Sequence, residues 1–134
     1  MIQKTAEMPK APKIESLWHK RNTGDTTNAV IAHASRISDN NLDFIATLDK
    51  ESAGTWDTNV INRSNKNGTI DKGICQFNSR YFSHLYKDPN WNNPEWQVNK
   101  CYEMYMDWYK RGIVGKRMFG YNNRESAKKN FYLQ

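Results

Sequence analysis

At 134 residues the chain has room for one domain around one hydrophobic core, which excludes a multidomain architecture. Its composition is polar, with a mean hydropathy of −0.94, yet 13% of the residues are aromatic, which excludes a chain unable to bury enough apolar surface to fold. A net charge of +6 favours a polyanionic partner such as nucleic acid, anionic lipid or bacterial cell wall. No apolar run approaches the roughly 20 residues that span a bilayer, so membrane insertion is not expected.

Residues 1–13, with Pro9, Pro12 and three lysines, read as a flexible lead-in to a domain over 14–134. They lack the apolar middle of a secretory signal, so the expectation is another export route or a leader already removed. Ile14 to Asn22 reads as a short helix presenting Leu17 and Trp18, broken by Thr23-Gly24. Asp25-Thr26-Thr27 is a cap-like run opening a second helix, which carries Ala29, Val30, Ala32 and His33 on to Ile37. Ser38-Asp39-Asn40-Asn41 then supplies a stop and the next cap.

A third helix starts at Leu42 and ends near Gly54, a residue suited to left-handed termination. Phe44, Leu48 and Glu51 fall at i, i+4 and i+7, which lines a carboxylate up with an apolar stripe at the last turn. After Val60-Ile61 the period changes, and Asn67-Gly68 predicts a two-residue β-hairpin turn because both types tolerate positive φ. Gly73 to Asn78 leads into a helix beginning near Ser79, carrying Tyr81, Phe82 and Leu85 and ended by Asp88-Pro89-Asn90. Asn93 caps the longest helix, with Pro94 at its first position, a buried stripe of Val98, Cys101, Tyr105 and Trp108, and Gly112 closing it. A last segment holds Met118, Phe119, Tyr121 and Asn122, and a basic end with Lys128 and Lys129 also reads as helical. The fold class is therefore α+β, mostly helical.

Cys75 and Cys101 have neither CxxC spacing nor a nearby His cluster, which argues against zinc. One disulfide and two buried thiols both fit, and their apolar neighbours favour the thiols. His19, His33 and His84 show no ligand spacing, so neither a metal nor another cofactor is expected. Trp56 and Trp91 suit either core packing, which is favoured, or stacking on sugar faces. Lysines and arginines are dispersed, unlike the patterned stripe of a nucleic-acid module, so no nucleic-acid partner is expected.

On position alone Glu51 reads first as a solvated helix end, with a general acid as the second reading. A buried site and the negative end of the helix dipole, worth roughly 0.3–1 kcal/mol, would both keep its carboxyl protonated. The sequence downstream decides. Glu51-Ser52, the Asn-rich stretch from Asn59 to Gly68, and Asp71-Lys72-Gly73-Ile74-Cys75-Gln76-Phe77-Asn78-Ser79 together resemble the active-site stretch of lysozyme-like enzymes. The likeness is to animal-type lysozymes and, more closely, to the soluble lytic transglycosylases of secretion systems and phages. Phe119-Gly120-Tyr121-Asn122-Asn123 resembles their later Ala-Tyr-Asn-Gly patch less well, with Gly120 for Ala and Asn123-Arg124 where Gly is common. Cys75 and Phe77 also replace commoner aliphatics.

The resemblance implies a lysozyme-like fold with a small hairpin beside the catalytic helix, and cleavage of the MurNAc–GlcNAc β-1,4 bond of peptidoglycan. In it, Glu51 is the general acid and Asp71 stands where animal lysozymes keep their second carboxylate, unless Asp71 only braces the hairpin. Gln76 and Asn78 match cleft-lining amides, with bracing of the hairpin against the next helix as the alternative. Tyr121 and Asn122 match a pair packed near the acid, or else are a core aromatic and a turn residue. Ser52 is placed at the site as a buttress. The first expectation is a monomeric lytic transglycosylase acting in the periplasm or at the wall, as a phage lysis or virion protein would. The alternatives are a water-using muramidase and a degenerate wall-binding module.

Overall fold

The structure, a computed structural model, describes residues 24–111. The predicted helix over Ile14–Asn22 and the segments from Gly112 onward, with Tyr121 and Asn122, lie outside the described residues. Four helices and a three-stranded sheet run in the order α1 (Asp25–Ile37), α2 (Leu42–Glu51), β1 (Ile61–Asn62), β2 (Asp71–Lys72), β3 (Phe77–Asn78), α3 (Ser79–Tyr86) and α4 (Pro94–Lys110). The class is α+β and mostly helical. None of these helices is long and apolar enough to cross a membrane.

Helix α1 begins at Asp25 with Gly24 as its cap and no side-chain cap bond, so Asp25 is a first-turn acid facing the positive helix end and not the capping residue expected. Asp39 and Asn40 take φ of 53° and 57°, the left-handed geometry that short polar residues tolerate, and turn the chain between α1 and α2. Asn41 then caps α2 by accepting from the Phe44 N–H at 3.1 Å. Asn93 caps α4 twice over, accepting from the amides of Glu95 and Trp96, with Pro94 just inside as its sequence demands. That helix ends at Lys110 with Arg111 as its cap.

Helix α1 packs on α4 and α2, and α3 on β3. The core between them is built from Phe44, Ile45, Leu48, Ile74, Phe77 and Val98, all fully buried. Phe44 lies edge-on to Tyr102 and Tyr105 with ring centroids 5.1 and 5.4 Å apart, and the Tyr105 hydroxyl donates to Asp43 at 2.8 Å, tying α4 to α2. Trp56 and Trp91 are core residues too. Trp108, expected in the stripe of α4, is half-buried, while Gln97 and Met104 are buried there instead.

Two expectations are corrected. The hairpin is not closed by a two-residue turn. Residues 63–70 form a wide connection in which Gly68 has φ of 77°, while Asn67 uses its side chain, accepting from the amide and hydroxyl of Thr69. A third strand, β3, then completes the sheet in the order β1-β2-β3, all antiparallel. Cys75 and Cys101 are both buried, as their neighbours implied, but they form a disulfide. The turn between β2 and β3 packs on α4 and brings their Cα atoms to 6.0 Å, within bridging range for residues 26 apart in sequence. On the chain-entropy account a loop of that length contributes about 3.5 kcal/mol.

Candidate active site

Helix α2 delivers Glu51 as its last residue. Phe44 and Leu48 beneath it are buried, and the Glu51 side chain keeps only 16% of its surface exposed. The chain can leave the helix there because Ala53 and Gly54 take φ of 53° and 73°, with the Gly54 amide returning to the Asp49 carbonyl at 2.8 Å. Ser52 has no exposed surface. Its hydroxyl accepts from the Trp56 amide at 3.0 Å and donates to the Asp49 carbonyl at 3.4 Å, so it fixes the turn after Glu51 and does not face a ligand. Asp49, on the core side of the helix, accepts from the Trp56 indole N–H at 2.9 Å.

Burial holds the Glu51 carboxyl above the usual carboxylate range. Lys50 opposes this, its ammonium standing 3.3 Å from Glu51 Oε1 as both an opposite charge and a hydrogen-bond donor, and the negative charge of Asp71 adds to the upward push. Desolvation is the largest of these effects, so the net shift is upward. The contribution of Asp71, on β2, is the smallest of the four.

Asp71 sits on the middle strand, directly opposite Asn62 of β1 and Asn78 of β3. Residues paired in this way share a sheet face, so the carboxylate lies between two amides. Asn78 donates to Oδ1 at 2.8 Å, while Asn62 and Asn65 donate to Oδ2 at 3.2 and 3.0 Å. Asn78 also caps α3 through the Arg80 amide and reaches Thr69 at 3.1 Å, so one side chain locks sheet, loop and helix together. Gln76, at φ 57°, donates to the carbonyls of Val60 and Gly73 at 3.0 and 2.9 Å. Asn78 thus braces the hairpin against the next helix, as its alternative reading has it, while Gln76 braces the turn before β3 against the residue preceding β1.

We expect Asp71→Asn to lower stability by about 1–3 kcal/mol, because an amide cannot accept all three N–H groups and leaves a partly buried donor unmatched. Urea unfolding measures the loss, and a change below about 0.5 kcal/mol would show that the amides do not depend on the charge.

Lys50, Asn62, Asn65 and Tyr86 are site residues that the sequence reading did not single out. The Tyr86 hydroxyl donates to the Phe77 carbonyl, and burial, then the charge of Asp71, pushes its pKa up to about 12. Lys72 Nζ stands 5.6 Å from the ring centroids of both Tyr86 and Trp91. A hollow of about 340 Å³ beside the hairpin is lined by Asn65, Lys66, Asn67, Thr69 and Asn78. A larger groove of about 820 Å³, bordered by Tyr81, Leu85, Met104 and Trp108 among others, carries none of the predicted site residues.

Comparison with protein families, with characterised proteins and with solved structures gave no match to this chain.

Proposed function

We propose that the protein is a lysozyme-like enzyme that cleaves the MurNAc–GlcNAc β-1,4 bond of peptidoglycan as a lytic transglycosylase, with Glu51 as general acid and then base. The observation that carries this reading is a mostly buried carboxyl at a helix end, its pKa raised by that burial, with the charge of Asp71 on the hairpin adding to the rise. Breaking a glycosidic bond needs an acid that releases its proton less readily than an ordinary carboxyl, and burial shifts Glu51 in that direction.

Glu51 gives its proton to the bridging oxygen as the bond from that oxygen to C1 of the MurNAc breaks. The 6-hydroxyl of the same sugar then attacks C1 and returns its proton to the Glu51 carboxylate, leaving a 1,6-anhydro end. Asp71 contributes negative charge near the developing oxocarbenium ion. Its oxygens are already engaged by three amides, which favours this fixed electrostatic part over activation of a water. The +6 charge draws the enzyme to an anionic wall, an attraction weakened by salt.

Digestion of purified walls followed by mass spectrometry of the released sugars tests the reading. We expect 1,6-anhydro ends. Reducing ends would transfer the assignment to a hydrolytic muramidase, and intact walls would reject cleavage altogether in favour of a binding module.

A further inference from the structure

The neighbour of the proposed acid is unusual in its placement. Side chains at i and i+1 of a helix point about 100° apart and do not normally meet, and a lysine on a helix normally carries its ammonium into solvent. Lys50 does neither. Its Nζ turns back to Glu51 Oε1 at 3.3 Å, and both side chains are largely covered, 20% and 16% exposed. Such a pair differs from an exposed surface bridge, because little water is present to screen it.

The placement works against the chemistry if considered alone, since an ammonium favours the ionised carboxylate that a general acid must avoid being. Its value follows from the need to give the proton up. A carboxyl made too weak an acid by burial would hold its proton and fail to release it to the leaving oxygen, and transfer is most efficient when the group's pKa lies near the working pH. Burial and Asp71 push one way and Lys50 pushes the other, and among the described residues these are the charged groups whose field reaches Glu51.

We propose that Lys50 is a positioning residue for Glu51, holding Oε1 so that the proton resides on Oε2 and setting the upper pH limit at which Glu51 serves as donor. The inference rests on the reading of Glu51 as the acid, but its test need not.

The Glu51 side-chain carboxyl is followed by carbon NMR through a pH titration in wild type, Lys50→Met and Lys50→Arg, and the pH–rate profile of wall cleavage is recorded for the same three proteins. Lys50→Met keeps the packed stem and removes the charge. We expect its titration midpoint and the alkaline limb of its profile to move to higher pH. On that limb its rate, relative to its own maximum, should be roughly three- to tenfold above wild type, the range for losing one partly screened opposite charge. Lys50→Arg should keep the wild-type midpoint. Lys50→Gln substitutes if the Met variant does not fold. Coincident titrations in wild type and the uncharged variant would overturn the inference, as would an equal shift in Lys50→Arg. Failure of wild type to cleave walls would reject the proposed activity while the titration still decides the role of Lys50.

Discussion

On the proposed function, we expect Glu51→Gln to reduce wall cleavage by about 10²- to 10⁴-fold, the usual contribution of a positioned general acid, while leaving the protein at least as stable as wild type at neutral pH. The two halves of this expectation have one cause. Burial raises the folded-state pKa of Glu51 above its ordinary 4.5, so between the unfolded and folded values the native chain binds more protons than the unfolded one. The stabilisation linked to that proton is fully present below about pH 4.5, and it is lost as pH rises through the folded value. Once ionised, the carboxylate is a burden on the fold that burial imposes and Lys50 only partly relieves. A neutral amide of the same shape removes it. Thermal unfolding of both proteins at pH 4 and pH 7 measures the effect, and the stability of Glu51→Gln relative to wild type should increase with pH. A variant that is both inactive and less stable at pH 7 than at pH 4, relative to wild type, would make Glu51 a structural ion-pair partner and not an acid in reserve.

How much of this was legible depended on whether the signal was local. Helices α2 and α4 announce themselves because Asn41 and Asn93-Pro94 cap by contacts within their own first turn. Glu51 was legible because its stripe with Phe44 and Leu48 is a property of one helix, and burial followed from the stripe. The start of α1 was misplaced by a few positions because a glycine cap leaves no polar side chain to recognise. Strand β3 could not be seen, since two residues carry no periodicity and their strand character exists only through pairing with β2. The disulfide was hidden for the same reason. The sequence places Cys75 and Cys101 among apolar residues, but only the packing of a turn on a distant helix makes them neighbours. Lys50 was overlooked because adjacent helix positions are expected to diverge. The part of the site argued from Tyr121 and Asn122 lies outside the described residues, so the candidate site stands on α2 and the sheet.

Gln97 is the residue whose loss should cost the fold most, and it too left a trace in the sequence. It lies four residues before Cys101 and seven before Met104, on the buried face of α4, where a polar side chain must find partners. It finds three. Its Oε1 accepts from the Ile74 amide at 3.0 Å, and its Nε2 donates to the carbonyls of Thr58 and Trp91 at 3.1 and 2.7 Å. Gly73 is required beside it, since at φ 93° a Cβ there would stand 2.7 Å from Oε1. Together with the disulfide one residue further along, this clamp fixes the β2–β3 turn on α4, and that turn joins the strand bearing Asp71 to the strand bearing Asn78. Gln97→Leu fills nearly the same volume but leaves three buried backbone groups unpartnered. The expected loss is about 4–6 kcal/mol, a large share of the 5–15 kcal/mol by which domains of this size are stable. Gln97→Glu, which keeps the acceptor for Ile74 and loses the donors, adds the cost of burying a charge. It should therefore do no better near neutral pH and recover part of the loss under acid, once the carboxyl protonates and regains an O–H to donate. Urea unfolding under oxidising conditions, where the disulfide still tethers the turn, isolates the hydrogen bonds from the covalent link. A Leu variant within about 1 kcal/mol of wild type would mean that water or a shifted backbone replaces all three bonds, and that the disulfide alone holds the sheet in place. If the clamp is as described, amide exchange at Gly73 to Phe77 accelerates in the Leu variant, and wall cleavage falls with it as the charge of Asp71 moves away from Glu51.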